Sequence, residues 1–345
     1  MKKTTKKLLL AGILIALIVV SICGTFAYRI LYMPVFKLSE TKYIIISEDN
    51  KNFQTLCEVL NDSAGCSNIK YFEILAKLRM YPENMKSGRF AIEPGMNNND
   101  VLNLLRRGQQ TPVRLTFNNI RLISDLADRL TDQLMINSDD LFPYLNDEKY
   151  CTSLGFNTAT IKTMFIPNTY EVYWNIPADK LIERMKREYD IFWTEERLKK
   201  AENLRLTPIE VSILASIVEE ETVVADEFPI VAGLYINRLY KGIPLQADPT
   251  VKYAVGDFSL RRILNKHLTV DSPYNTYLYE GLPPGPIRIP SVRGIDAVLN
   301  RTTHNYLYMC AKEDFSGRHN FAVTLSEHNR NASKYHAELN RRSIR

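Results

Sequence analysis

The longest run of apolar positions lies near the start of the chain. Residues 8–28 contain no charged side chain, and a helix needs about 20 apolar residues to cross a bilayer. Four lysines lie just before this run, within residues 2–7, and flanking lysines favour the cytoplasmic side of a membrane. The pattern predicts a cytoplasmic tail over 1–7, a single transmembrane helix over 8–28 and a linker over 29–40.

A cleaved signal peptide is the alternative interpretation of this segment. The apolar core of a signal peptide usually spans about 7–15 residues, which is shorter than the run at 8–28. We therefore expect the helix to be retained, with the rest of the chain on the non-cytoplasmic side of the membrane.

Short runs with strand-like and helix-like spacing follow the linker. A β-branched stretch at 42–47 is typical of a strand, and so is Arg89–Ile92. Apolar spacing of three and four predicts helices over 52–61 and 70–80. A further helix is predicted to begin at a cap, Asn98 or Asn99, and to end at Gly108. Together these elements predict a small α+β module over 41–110.

A connecting region over 111–160 is expected to begin with a strand at 113–119 and a helix at 123–130. From about residue 160, tyrosine, tryptophan and proline become denser. A charged amphipathic helix is predicted over 178–203, a strand over 306–311, and a strand running into a helix near the end. We predict a larger α+β domain over 161–345, so the fold class of the exported part is α+β.

Three consecutive glutamates follow an apolar run in the stretch SILASIVEEET, residues 212–222. Thr207, Pro208 and Glu210 form a capping box with proline at the first helical position, so a helix begins there. At about 100° per residue, one apolar stripe contains Glu221 and excludes Glu219 and Glu220, which are expected to be solvated or to line a cleft. The predicted stripe consists of Val211, Leu214, Ile217, Val218, Glu221 and Ala225.

A carboxyl group on an apolar face is partly desolvated, which raises its pKa. A raised pKa suits a general acid that works near neutral pH. Glu221 is therefore the candidate catalytic residue. The structural alternatives are a buried, paired glutamate or the plain end of a helix.

Polar and aromatic side chains that suit a sugar polymer are concentrated in the Pro/Gly-rich loops after residue 240 and near the end of the chain. Amides and carboxylates bind hydroxyl groups, and tyrosine faces pack on sugar rings. Any one of these side chains also has a purely structural interpretation, in packing or in local hydrogen bonds. The candidate substrate-binding residues are Glu219, Gln246, Asp248, Thr250, Tyr253, Tyr274, Asn275, Tyr277, His319, His328 and Asn329.

Charge and cysteine content exclude several classes of function. The net charge of +5 over 345 residues is mild, and no basic stripe with interleaved aromatics indicates nucleic-acid binding. Cysteine and histidine spacing predicts no metal site, and we expect no cofactor. Cys57 and Cys66 are nine residues apart and permit either a disulfide or two buried thiols.

Five motifs in a fixed order resemble the YceG-like family of endolytic murein transglycosylases. They are ASIVEEET at 215–222, VAGLYINRL at 231–239, LQADPTVKYAVG at 245–256, YNTYLYEGLPPGPI at 274–287, and a late H-x-F followed by EHN at 319–329. The likeness spans about residues 40 to 335. It implies that the module at 41–110 is LysM-like and that 161–345 is a lytic transglycosylase domain.

The resemblance implies an activity and a place in the cell. The family cuts peptidoglycan strands between N-acetylmuramic acid and N-acetylglucosamine, leaves a 1,6-anhydro end, and uses no cofactor. It implies a protein of the bacterial cytoplasmic (inner) membrane that terminates nascent glycan strands beside a peptidoglycan synthase.

The family's catalytic glutamate is the second of an E-K-E-T motif, which matches Glu221. Glu220 stands where the family usually has lysine. The run IRIPS at 287–291 stands where asparagine-proline-glycine is usual, and Asn168 stands where aspartate is usual. From this pattern, Glu220→Lys is expected to leave cleavage largely intact.

Two other functions stay open from the sequence. A muramidase-type hydrolase would need a second carboxylate, for which Asp248 is the first candidate. A non-catalytic scaffold that binds the cell wall would also suit the small module at 41–110.

Overall fold

The computed structural model of the protein describes residues 2–260 and 262–342. It is a mixed α+β structure in two compact units. The first unit takes the described part of residues 1–114 with 133–135 and 171–176, and the second takes 115–132, 136–170 and the described part of 177–345.

The first element is a long helix, α1, from Lys2 to Leu31. Its segment Lys6–Leu31 is long and apolar enough to cross a membrane, and it is the one such segment among the described residues. The side chains of Lys6 to Arg29 are exposed, whereas Ile30 is buried against the first unit. The predicted span at 8–28 lies within this helix.

The rest of the first unit packs three helices against a two-stranded sheet. Strand β1 pairs antiparallel with β2, so that Lys42 lies opposite Ile92. Alternation along the strands places Ile44 and Ile46 of β1 in the same core as Phe90 and Ile92 of β2. The elements are β1 (Lys42–Ile46), α2 (Phe53–Asp62), α3 (Ile69–Leu78), β2 (Gly88–Ile92) and α4 (Asn98–Arg107), with a 3₁₀ turn at Pro82–Asn84.

The ends of α4 show one correct prediction and one correction. Gly108 ends the helix in the left-handed conformation, with φ of 66°. The cap, however, is Asn97, whose side chain accepts from the Asp100 amide in a capping box. Asn98 is buried instead, and its side-chain amide donates to the carbonyl of Ile30 at 2.9 Å.

The second unit is mostly helical. Strand β3 pairs with β4, and β5 pairs antiparallel with β6. Of these two pairs, β5 and β6 lie wholly in this unit, whereas β3 and β4 each have residues in both units. The strands are β3 (Val113–Thr116), β4 (Thr169–Val172), β5 (Tyr308–Ala311) and β6 (His319–Ala322), with a 3₁₀ turn at Ile161–Met164. The helices are α5 (Ile123–Thr131), α6 (Ser138–Asn146), α7 (Glu148–Ser153), α8 (Ala178–Phe192), α9 (Glu195–Asn203), α10 (Pro208–Glu221), α11 (Phe228–Tyr240), α12 (Asp248–Val255), α13 (Asn265–Leu268), α14 (Val292–Leu299) and α15 (Leu325–Arg341).

The single helix predicted over 178–203 is wrong, because the chain forms two helices there. α8 ends at Phe192, and Thr194 begins α9 by accepting the amide hydrogen of Arg197 on its side-chain oxygen. A threonine that satisfies a free amide at a helix start is a strong local signal, and it ends the amphipathic pattern at this point.

Helix α10 is the central helix of the second unit and packs against α9, α11, α12 and α14. The capping box at Thr207 and Glu210 is present as predicted. Every residue from Val211 to Val218 is buried, so the helix is enclosed on all sides and has no single apolar stripe. It ends at Glu221, and Thr222 is extended. Ala225 therefore lies outside the helix. Glu221 is placed by being the last residue of α10, and the predicted apolar stripe does not explain its position.

Candidate active site

The side chain of Glu221 lines a cavity of about 340 Å³ in the second unit. Its walls come from the end of α10, one face of α11, the segment that leads into α12, and strands β5 and β6. The lining residues are Glu221, Leu234, Tyr235, Arg238, Leu245, Gln246, Asp248, Tyr277, Leu307, Tyr308, Met309, Cys310, Ala311, His319 and His328.

The environment of Glu221 makes its carboxyl group a weaker acid than an ordinary glutamate. Burial is the main cause that raises its pKa, to about 7, and the negative charges of Asp248 and Glu220 raise it further. The hydroxyl of Tyr235 donates to Oε1 at 2.6 Å and acts in the opposite direction. A helix C-terminus is also the negative end of the helix dipole, an unfavourable place for a carboxylate. Glu221 can therefore hold a proton near neutral pH.

This pKa predicts the alkaline side of the pH–rate profile. If Glu221 donates a proton, the active form is the protonated one, which is lost as pH rises through about 7. We expect kcat/KM for glycan cleavage to fall about tenfold per pH unit above that point. Initial rates on a defined glycan between about pH 6 and pH 9 measure this decrease in kcat/KM. A rate that rises through this range would show that the ionised carboxylate is the active form.

Glu220 is held by two arginines. Arg121 Nη2 lies 3.0 Å from both carboxylate oxygens, and Arg288 Nη1 lies 2.9 Å from Oε1. The side chains of Glu220 and Arg288 are each 17% exposed. The expectation that Glu220 is solvated or lines the cleft is wrong: it is paired away from the cavity wall, because two cations converge on it from distant segments.

Glu219 is not solvated either, and a role for it in binding stays a prediction. Its side chain is 6% exposed, and it accepts hydrogen bonds from the amide and hydroxyl groups of Ser291. Ser291 is the cap of α14, and Gly294 in the first turn leaves room for the carboxylate. The contacts make Glu219 a link between α10 and the start of α14, outside the cavity wall.

Two of the departures from the family pattern contact each other. Glu220 stands where lysine is usual, and Arg288 lies within the run IRIPS. Their ion pair joins the two positions directly. Opposite charges at these sites explain how the chain accommodates a glutamate at position 220.

Five of the candidate binding residues lie on the cavity wall with Glu221: Gln246, Asp248, Tyr277, His319 and His328. The Tyr277 hydroxyl donates to Asp248 Oδ1 at 2.7 Å. Asp248 is the first residue of α12, and Ala247 is the residue at the cap position. Burial and the nearby Arg238 guanidinium lower the pKa of His328, which favours its neutral form near pH 7.

Arg238 fixes the orientation of Gln246. Its Nη2 donates to Gln246 Oε1 at 2.7 Å, while its other donors bind the carbonyls of Pro244 and Leu307. With its oxygen held in this way, the Gln246 amide has its NH₂ group left to donate. Gln246 itself has a left-handed backbone conformation, with φ of 53°.

The other candidates lie off the cavity wall. Thr250 is buried and exchanges a 2.8 Å hydrogen bond with Thr276. Asn275 donates to two carbonyls of its own loop, at Leu268 and Val270. Tyr253 accepts from Lys162 and packs against the ring of Tyr274, while Asn329 is exposed on α15. Their contacts are structural, and a role in binding stays a prediction.

The sequence interpretation missed Tyr235, Arg238, Tyr308 and Glu227. Tyr235 and Arg238 are three apart on α11, within the mostly apolar run VAGLYINRL. Residues three apart share a helix face, so this pair was a usable signal. Glu227 gave no signal, because its partner His319 is 92 residues away.

The described residues include no group of three or more His, Cys, Asp or Glu arranged to hold a metal ion. The five cysteines are free thiols, and both Cys57 and Cys66 are buried. Burial raises the pKa of each of these two thiols.

A carboxyl group with a raised pKa on the wall of a polar cavity makes Glu221 the candidate acid–base residue of an α+β fold. The sequence model of the YceG-like family matches residues 45–334. The chain belongs to the YceG-like family.

Similar proteins carry names that describe an activity. An endolytic murein transglycosylase of Bacillus subtilis is 27% identical over 336 residues, which cover 92% of this chain and 91% of the relative. One of Streptococcus pneumoniae is 25% identical and covers 95% of this chain and 65% of the relative. A crystal structure of a YceG-like protein from Listeria monocytogenes shares 25% identity with a TM-score of 0.56, and covers 85% of this chain and 99% of that chain.

Proposed function

We propose that the protein is a lyase that cuts peptidoglycan strands internally, as an endolytic lytic transglycosylase. The observation that carries the proposal is Glu221, a carboxyl group with a pKa of about 7 on the wall of a polar cavity. The names of the Bacillus and Streptococcus relatives support murein as the substrate and transglycosylation as the reaction.

The chemistry needs one carboxyl group that gives a proton and a sugar hydroxyl that replaces water. Glu221 donates its proton to the glycosidic oxygen of an N-acetylmuramic acid–N-acetylglucosamine bond, and C1 of the muramic acid develops positive charge. The C6 hydroxyl of the same sugar then bonds to C1 and loses its proton. In the single-carboxyl mechanism that the family resemblance implies, Glu221 takes this proton and is reset.

Side chains around Glu221 orient its carboxyl group or bind the sugar in this reaction. Tyr235 orients the carboxyl group through its 2.6 Å hydrogen bond. Gln246, held by Arg238, presents amide hydrogens to sugar oxygens. Tyr277 and His328 add two ring side chains to the cavity wall.

We further propose that α1 anchors the enzyme in the bacterial cytoplasmic membrane as a single span with its N-terminus inside. The apolar segment Lys6–Leu31 and the lysines at the chain start support this. The second unit would then act outside the membrane on nascent strands, and cutting them would end their elongation. By analogy with the family, the module at 41–110 is LysM-like and a peptidoglycan synthase is a partner.

A two-carboxylate hydrolase is the second candidate. Asp248 lies on the same cavity wall as Glu221, and its charge contributes to the raised pKa of Glu221. A hydrolase would add water and leave a reducing end where the transglycosylase leaves an anhydro end.

Digestion of purified, uncrosslinked glycan strands by the full-length protein in detergent tests the proposal. Internal cutting should convert long strands into mid-length fragments early in the reaction, before disaccharides appear. Early release of disaccharides would argue for cutting from strand ends. Binding of glycan without any shortening would favour the non-catalytic scaffold.

A further inference from the structure

Behind one wall of the cavity lies a buried carboxylate, Glu227, that binds a histidine of that wall. The Glu227 side chain is 4% exposed. Its Oε1 accepts the amide hydrogen of His319 at 2.9 Å, and its Oε2 accepts from His319 Nδ1 at 2.8 Å. The hydroxyl of Thr222 donates to Oε2 as well, at 3.2 Å. We call His319 and Glu227 the His–Glu pair.

These contacts define which ring nitrogen of His319 is free to accept. A carboxylate only accepts hydrogen bonds, so His319 Nδ1 must carry the hydrogen in the pair. In the neutral ring the lone pair then lies on Nε2. No hydrogen bond to Nε2 is found among the described residues, and His319 lines the cavity. A carboxylate behind a histidine also fixes the ring orientation.

The His–Glu pair is tied to the end of α10. Thr222 directly follows Glu221, and its oxygen accepts the Val224 amide hydrogen while its hydrogen goes to Glu227. The backbone that holds Glu221 therefore also holds the carboxylate behind His319. Both residues line one cavity of about 340 Å³, near the lower end of ligand pockets, so a bound sugar would lie within reach of both.

We propose that His319 Nε2 is the base that accepts the C6 hydroxyl proton, and that Glu221 acts as the acid. The inference rests on the proposed function and assigns its second proton transfer to a different residue. Glu221 gives its proton to the leaving oxygen as the C1–O bond breaks. The C6 oxygen bonds to C1, and its proton passes to Nε2. His319 is then protonated and Glu221 ionised, and one proton transfer from His319 to Glu221 resets the site.

The proposal explains why this site favours an internal hydroxyl over water. A base held rigidly at one cavity wall selects the nucleophile that the bound sugar presents there. The pair needs no second acidic residue on the cavity wall, because Glu227 acts through the histidine. Glu227 is thus a positioning residue, and His319 is the group that touches the substrate.

The experiment compares full-length wild type, His319→Ala, His319→Gln and Glu227→Gln on the same glycan, with mass spectrometry of the new strand ends. We expect both His319 variants to lose about 10²-fold or more in the rate of anhydro-end formation. The fraction of reducing ends should rise, because water competes when the C6 hydroxyl is not activated. Added imidazole should restore anhydro-end formation in His319→Ala. Glu227→Gln keeps an acceptor for Nδ1 but no charge, and should lose less.

Two controls separate a base from a structural histidine. Glutamine at position 319 can replace hydrogen bonds but cannot take the proton, so a structural role predicts that His319→Gln stays active. His336 is exposed on α15, and His336→Ala should match wild type in rate and in end chemistry.

An active His319→Gln, or a His319→Ala variant with the wild-type rate and anhydro fraction, would overturn the inference. So would a loss in His319→Ala that imidazole does not restore. A wild-type enzyme that leaves only reducing ends would overturn the proposed function, and this inference with it.

Discussion

Glu221→Gln is expected to abolish glycan cleavage, with kcat/KM lower by about 10²–10⁴-fold. Glutamine has nearly the same shape and keeps an oxygen that can accept the 2.6 Å hydrogen bond from Tyr235. It has no acidic proton to give to the glycosidic oxygen. Time courses of fragment formation on purified strands measure the loss, and cleavage at the wild-type rate would exclude Glu221 as the acid.

A stability measurement distinguishes a chemical cause for the inactivity of Glu221→Gln from a structural one. The folded-state pKa of Glu221, about 7, is above its ordinary value of 4.5. The folded protein therefore binds the proton more tightly than the unfolded chain does, and the wild type loses stability as pH rises from about 4.5 through about 7. Glutamine avoids this loss, which amounts to up to about 3 kcal/mol above pH 7.

Denaturant unfolding at pH 8 and at pH 4.5 should thus show Glu221→Gln more stable than wild type only at the higher pH. A variant that is less stable at both values would mean that the carboxyl group is needed for the fold. The inactivity would then have a structural cause.

Glu220→Lys is expected to destabilise the second unit by about 2–3 kcal/mol, somewhat below the range for breaking a fully buried ion pair. The substitution places an ammonium group against Arg121 and Arg288, which now lie 3.0 and 2.9 Å from carboxylate oxygens. The family pattern predicts that Glu220→Lys leaves cleavage largely intact, and that stays a prediction. The contacts add an expected loss of stability, since Arg121 and Arg288 are both cations.

Chemical denaturation of wild type, Glu220→Lys and Glu220→Gln measures this effect. Glutamine removes the charge without adding a cation, so its loss should be the smaller of the two. Replacing Arg288 by glutamine in the Glu220→Lys background should recover part of the loss, because contacting residues are energetically coupled. If Glu220→Lys is as stable as wild type, the ion pairs of Glu220 with Arg121 and Arg288 do not stabilise the fold.

Local signals predicted the elements of the protein better than its contacts. The capping box at Thr207, the left-handed Gly108 and the strand at 42–46 follow from residues a few positions apart, and each is present. The helix predicted over 178–203 failed where one threonine outweighed a continuous amphipathic pattern.

The three glutamates show why helical phase was not sufficient. Phase singled out Glu221, the residue that the structure places on the cavity wall. It could not show that Glu219 holds the start of α14 or that two arginines surround Glu220, because those partners lie about 70 to 100 residues away. Nor could it show that α10 is buried on all sides, which depends on the four helices packed around it.

The chemistry of the new strand ends, measured by mass spectrometry on glycan cut by wild type and by Glu221→Gln, distinguishes the possible reactions. A lytic transglycosylase with Glu221 as its acid leaves 1,6-anhydro ends in the wild-type digest, and Glu221→Gln forms them at a rate about 10²–10⁴-fold lower. Reducing ends from the wild type would contradict this reaction and indicate a hydrolase, with Asp248 as the second carboxylate to test. Anhydro ends that Glu221→Gln forms at the wild-type rate would show that another group supplies the proton.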